Sequence, residues 1–355
     1  MPSDLMTKSM KIILDNQHQS GAYVACPNFD TYKYCWLRDG SFIANAMDTS
    51  GQYESAGKFF DWVDQVINKQ DKKVENLVNA SKMKDTLLNS DYLPTRYTLE
   101  GLEVEDEWPN FQLDGYGTWL WALAEHVKTT GEKSLIEKYR KSISITVSYL
   151  AHFYGIANYD CWEENGDKVH TSTLSCIYGG LRSISVFPGF SAAGEIADEI
   201  KQFVVENCVL HSRLVKYIGT DIVDASLLWA AVPFKLLEPD DVIMKNTVSA
   251  IESDLLHDGG VHRYALDTYY GGGEWILLSC WLGLYYAEAG ERDKALRILE
   301  WVEHTANENG EFPEQVLTHV NNKEFIEKWQ SLWGDVATPL LWSHAMYIDL
   351  KHNLS

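Results

Sequence analysis

Apolar residues recur at three- and four-residue steps along most of the chain, and this spacing restricts the fold more than any other feature. It predicts helices over 5–14, 59–67, 119–127, 135–153, 174–184, 196–209, 225–232, 242–256, 276–287, 295–305 and 340–350. Shorter segments at 41–47 and 325–332 bring the total to about a dozen. Strand-like alternation is scarce. The breaks are compact clusters such as Asn28-Phe29-Asp30, Thr129-Thr130-Gly131 and Asp258-Gly259-Gly260, with no flexible Gly/Ser linker between two halves. That many amphipathic faces need one shared interior. A ring of six inner and six outer helices supplies it, so the expected fold is all-α, an (α/α)6 barrel, with residues 1–355 forming a single domain.

One connection interrupts the rhythm. Residues 70–112 carry lysines in the first half and acids in the second (Glu100, Glu103, Glu105, Asp106, Glu107), and end in Trp108-Pro109-Asn110-Phe111. Long connections in compact domains tend to be functional. This one is expected as a loop on the substrate side that folds over a pocket, the alternative being a solvated flap.

Charge and composition exclude several partners. A formal net charge of −21 repels a phosphate backbone, and no Lys/Arg cluster opposes it, so neither nucleic acid nor an anionic membrane is expected. The start, residues 1–17, carries Asp4, Lys8 and Lys11 and does not resemble a signal peptide. The longest apolar stretch, 275–287, is shorter than the ~18–20 residues of a membrane span. Six scattered cysteines suggest reduced thiols in a soluble, cytoplasmic protein. Cys208-x-x-His211 has no second pair to complete a zinc site, so no metal is expected. The 13 Trp and 19 Tyr exceed what a core alone requires, and flat rings stack on sugar C–H faces; a small neutral oligosaccharide fits best.

Two acidic motifs bear on that substrate: Tyr159-Asp160-Cys161-Trp162-Glu163-Glu164, and Gly310-Glu311-Phe312-Pro313-Glu314-Gln315. Cleaving a glycosidic bond needs one carboxyl to protonate the departing oxygen and one carboxylate to activate water or attack the sugar. Glu163 suits the first role, because Trp162 would limit its hydration and Glu164 would add like charge. An exposed acidic turn would look the same. Glu314 suits the second, with Pro313 stiffening the turn before it; a helix start with Pro and Glu in its first turn is the competing explanation. Arg38-Asp39 could hold two hydroxyls in register, or Asp39 could simply cap the helix at 41–47. His170 and His262 would serve a lyase or epimerase on a similar toroid, but lack a paired arrangement.

Taken in order, these segments resemble the glucoamylase family, glycoside hydrolase family 15. Tyr32-x-Tyr34-x-Trp36-x-Arg38-Asp39 is similar to its first signature, and Trp108 with Gln112-x-Asp114-Gly115 to its second. Trp162-Glu163-Glu164 resembles the third. Arg263-Tyr264, Asp267-Thr268-Tyr269-Tyr270 and Trp275 resemble the fourth, Pro313-Glu314-Gln315 the fifth, and Pro339-Leu340-Leu341-Trp342-Ser343-His344-Ala345 the closing helix. The resemblance implies an (α/α)6 catalytic domain that removes glucose from non-reducing ends with inversion, without metal or cofactor. It further implies Glu163 as general acid and Glu314 as general base. Arg38, Asp39 and Arg263 would grip the terminal glucose, Tyr32, Trp36 and Trp275 would line its site, and Trp108 with Glu164 would reach the next unit. Thr95-Arg96-Tyr97 resembles the short enzymes that take isomaltose. Maltose or other α-1,4 substrates, trehalose, and a catalytically silent sugar-binding protein are the alternatives.

Overall fold

The computed structural model describes residues 4–84, 86–104 and 106–355; the first three residues, Asp85 and Glu105 of the expected acidic loop lie outside them. Helices run in chain order as α1 (Asp4–Asp15), α2 (Leu37–Thr49), α3 (Tyr53–Lys69), α4 (Asp71–Met83), α5 (Asp114–Thr130), α6 (Ser134–Lys138) and α7 (Arg140–Phe153). They continue as α8 (Thr171–Ser185), α9 (Ala192–Asn207), α10 (Val242–Asp254), α11 (Ile276–Glu288), α12 (Arg292–His304), α13 (Glu324–Trp333) and α14 (Leu341–Asn353). A 3-10 segment, Ala225–Ala230, lies between α9 and α10.

Burial sorts these elements into two rings. α2, α5, α8, the 3-10 segment, α11 and α14 are buried on nearly every side, as a helix with no polar face must be. α2 packs on α5, α5 on α8, α8 on the 3-10 segment, that segment on α11, α11 on α14, and α14 back on α2. The ring is closed. Each inner element carries an amphipathic outer partner: α3 on α2, α7 on α5, α9 on α8, α10 on the 3-10 segment, α12 on α11 and α1 on α14. α3 shows why, because Phe59, Phe60, Val63, Val66 and Ile67 turn inward while Glu54 and Lys58 stay in water. The architecture is an (α/α)6 barrel.

Three details differ from the sequence reading. Residues 71–83 of the expected loop form α4, which packs on α3 and α7 through Val74, Leu77 and Val78, so the irregular connection begins only at Lys84. The segment at 225–232 is a 3-10 turn rather than an α-helix; Pro233 bars its continuation and disfavours α geometry at Val232. The stretch at 135–153 divides at Tyr139 into α6 and α7.

The α5–α8 contact is backbone on backbone. A Cβ at Gly180 would lie 2.2 Å from the Gly117 carbonyl oxygen, and one at Gly117 would lie 2.4 Å from that of Cys176. Neither neighbour is a side chain that could swing away. Gly180→Val should therefore destabilise the barrel by about 3 kcal/mol or more, at the upper end of overpacking costs, as measured by chemical denaturation.

The starts of α2, α11 and α14 meet at one end of the barrel, where Arg38, Asp39, Trp275, Leu340 and Trp342 come together, and two short ladders lead into it. Cys35–Trp36 pairs with Arg96–Tyr97, placing Trp36 opposite Arg96. A four-stranded antiparallel sheet of Leu256–His257, Gly260–Val261, Glu274–Trp275 and Gln315–Val316 places Trp275 opposite Gln315, next to Glu314. Each of these two ladders holds a residue from a sequence motif.

Candidate active site

At that end lies a cavity of about 440 Å³, the size of a small-ligand site. Seven of the chain's 13 tryptophans line it (Trp36, Trp108, Trp162, Trp275, Trp329, Trp333, Trp342), so much of the aromatic surplus serves this wall, with Trp162, Trp275 and Trp342 shared between wall and core. Tyr32, Trp36, Arg38, Asp39, Trp108, Glu163, Glu164, Arg263, Trp275 and Glu314 all line the same cavity, although more than 280 residues separate the first from the last in sequence.

Two adjacent rings connect the separated glutamates. The Trp36 Nε1–H donates to Glu163 Oε1 at 2.7 Å, and the Tyr32 hydroxyl donates to Glu314 Oε1 at 3.0 Å. Tyr32 and Trp36 meet edge to face with centroids 5.7 Å apart. Gln112 Nε2 donates to Glu163 as well, at 3.2 Å. Tyr269 donates to the Tyr32 hydroxyl at 3.1 Å, completing a relay toward Glu314.

Glu314 is almost fully buried, and its Oε2 has no hydrogen-bond partner among the described residues. Burial pushes its carboxyl up to about 8; the Tyr32 hydroxyl and the Arg263 charge oppose that rise, and Asp39 adds to it. Its backbone N–H is tied to the Ala337 carbonyl, and the Pro313 carbonyl accepts from Ser343. Glu314 thus lies in a loop leading into a strand, and the helix-start explanation does not hold.

Glu163 sits at the tip of a closed turn with φ of 67°, a left-handed conformation that costs a non-glycine residue about 1–3 kcal/mol. The turn is closed by the Glu163 N–H to the Asp160 carbonyl and by the Asp160 N–H to the Glu164 carbonyl. This twist corrects the surroundings expected for Glu163. The Trp162 indole donates to Asp224 and stacks on Trp281, and Glu164 accepts from Arg263 at 3.3 Å and from the Tyr264 hydroxyl. Neither neighbour is devoted to Glu163; Trp36 and Gln112 supply its partners.

Arg38 and Asp39 lie within the first turn of α2, whose N-cap is Trp36, so Asp39 is not the cap. Arg38 donates from one terminal nitrogen to Gln112 and Asp114, both at 2.9 Å, while its Nε and the Asp39 Oδ2 face each other as an ion pair at 3.3 Å, both atoms buried. Burial raises the Asp39 carboxyl to about 7 against the pull of Arg38, with Glu163 and Asp114 adding like charge. Arg263 is gripped in a fork by Asp267 and faces the rings of Trp162, Tyr269 and Trp275. Both guanidiniums are preorganised, since their counter-ions lie beside or behind them.

The irregular connection does reach the cavity. Glu107, Trp108 and Pro109 line it, and the Arg96 guanidinium lies 3.8 Å from the Trp108 ring centroid and 5.1 Å from that of Trp36. Arg96 also binds Asp106, clamping the loop from both sides. The sequence reading assigned no role to Arg96, and it missed Trp329 and Trp333 on α13. Their spacing of four at the end of the short helix expected at 325–332, which puts both rings on one face, is a signal that could have found them. His170 and His262 do not line the cavity; each engages a backbone carbonyl, of Asn165 and Gly272 respectively.

A match to known proteins now has a geometry to explain. The description "Glycosyl hydrolases family 15" fits residues 3–352. The chain belongs to this family. An isomaltose glucohydrolase of Kribbella flavida is 41% identical over 99% of this chain and 92% of its own length. A solved glycosidase variant in complex with glucose superposes with a TM-score of 0.95 at 41% identity, covering 99% of this chain and 96% of that one. The glucoamylase of Saccharomycopsis fibuligera, 14% identical, shares the fold with a TM-score of 0.75 over 99% of this chain and 96% of that one. As a family 15 member the chain is a glycoside hydrolase. Among the described residues, no helix is long and apolar enough to cross a membrane.

Proposed function

We propose that the protein is an inverting exo-α-glucosidase that releases β-glucose from the non-reducing end of isomaltose and short α-gluco-oligosaccharides. The single observation that carries this is the pair of glutamates hung from adjacent Tyr32 and Trp36 rings in one aromatic cavity. Glu163 acts as general acid. It gives its proton to the glycosidic oxygen as the bond from that oxygen to C1 breaks. Glu314 acts as general base, its unpartnered Oε2 taking a proton from the water that attacks C1 from the opposite face. Solvent then returns the proton from Glu314 to Glu163.

Arg38, Asp39 and Arg263 hold the hydroxyls of the terminal glucose, Tyr32, Trp36 and Trp275 flank its ring, and Trp108 and Glu164 meet the second unit. The whole chain acts as one catalytic domain around a contiguous buried core. Six buried free thiols fit a reducing, cytoplasmic setting.

Preference for isomaltose draws support from the Kribbella flavida relative. Initial rates on isomaltose, maltose, trehalose and short α-1,4 glucans test it. kcat/KM should be highest on isomaltose; a preference for maltose or trehalose contradicts the linkage assignment, and absence of cleavage on all of them leaves a sugar-binding protein.

A further inference from the structure

Behind the Glu163 turn, outside the cavity lining, lies a charge cluster that no step above uses. Lys216, 4% exposed, places its ammonium 3.0 Å from Asp160 Oδ2 and 2.6 Å from Asp224 Oδ2, both carboxylates being buried. Each carboxylate in turn holds Trp162. Asp160 Oδ1 accepts the backbone N–H of Trp162 at 3.0 Å and that of Glu164 at 2.9 Å. Asp224 accepts the Trp162 indole N–H at 3.0–3.1 Å and also binds Ser226. The face of Tyr264, whose hydroxyl binds Glu164, lies 4.1 Å from the ammonium.

We propose that Lys216 is a positioning residue for the general acid, fixing the Glu163 turn by clamping Trp162 at backbone and indole through Asp160 and Asp224. The proposal rests on the assignment of Glu163 as acid. Glu163 occupies a left-handed conformation that surrounding contacts must enforce, and residues 162 and 164 on either side of it are held by Asp160. Lys216 is the cation within 4 Å of both aspartates among the described residues, with His170 reaching only Asp160, at 3.9 Å. Without Lys216, two carboxylates would stand buried and repel each other. Relief would come from movement or protonation, and either loosens the clamp.

Leaving-group dependence tests this. Protonation by Glu163 matters for isomaltose, whose departing sugar oxygen is a poor leaving group, but little for α-glucosyl fluoride, whose fluoride leaves unassisted. Lys216→Met should lower kcat on isomaltose by about 10²-fold, as a 1 Å misplacement can, with KM changed far less and activity on α-glucosyl fluoride within a few-fold of wild type. Equal losses on both substrates, or no loss on either, overturn the proposal. Should Lys216→Met not fold, Asp224→Asn keeps an oxygen for the indole while removing one charge, and should give a smaller loss of the same pattern; equal losses there overturn the proposal too. Glu163→Gln, run alongside, separates the two claims. If it does not spare the fluoride, the acid assignment fails; if it does and the Lys216 or Asp224 variant does not, only the role of Lys216 fails.

Discussion

Glu163→Gln should reduce kcat on isomaltose by about 10²–10⁴-fold, the usual contribution of a positioned general acid, with the melting temperature within error of wild type. The fold survives because the glutamine carbonyl can still accept from Trp36 and Gln112, the hydrogen-bond partners of the Glu163 carboxylate among the described residues. What disappears is the transferable proton. KM should move little, since the interaction lost is made in the transition state. Near-normal turnover in this variant would remove Glu163 from the chemistry.

Glu314→Gln should cost at least as much, and its effects extend to pH. Glutamine keeps the bond to Tyr32 but cannot take a proton from water. In the wild type the base must be ionised, and burial holds its carboxyl up to about 8, so kcat/KM should climb with pH toward that value rather than level off near the ordinary 4.5. Tyr32→Phe removes a donor to the carboxylate and should move this limb further up, by about one to two pH units for a hydrogen bond to a charged group.

Stability should follow the same group. Folded Glu314 keeps its proton well above the pH at which an unfolded glutamate loses it, so the fold binds more protons between about 4.5 and 8. The contribution of the neutral form is fully present below 4.5 and is lost as pH rises through 8. Melting temperatures of wild type and Glu314→Gln should therefore match near pH 4 and separate in favour of the variant by pH 8. Parallel curves across that range would mean that Glu314 is not buried as described.

Much of this was legible in the sequence because the barrel writes itself in periodicity. Outer helices such as α3 show a stripe, and inner ones such as α11 are apolar all round. α4 was hidden because Val74, Leu77 and Val78 form a brief stripe among lysines and other polar residues. The 3-10 segment was hidden because an apolar run does not reveal its pitch. The motifs pointed to one cavity, yet the partners of Glu163 could not be read from its neighbours. A left-handed residue turns the flanking side chains toward other partners, so the hydrogen bonds to Glu163 come from Trp36 and Gln112, distant in sequence, rather than from the neighbours expected to limit its hydration and add like charge. Arg96 was opaque for a related reason: its importance comes from pairing across strands with Trp36.

The most direct test of the central claim is proton NMR of isomaltose during its first minutes of digestion, before the anomers equilibrate. Direct displacement by a water held at Glu314, with Glu163 across the bond, predicts β-glucose in excess over the anomeric mixture that the reducing-end unit contributes. An initial excess of α-glucose over that mixture would mean net retention, hence a covalent intermediate and a different arrangement of the two carboxylates, and would contradict the account.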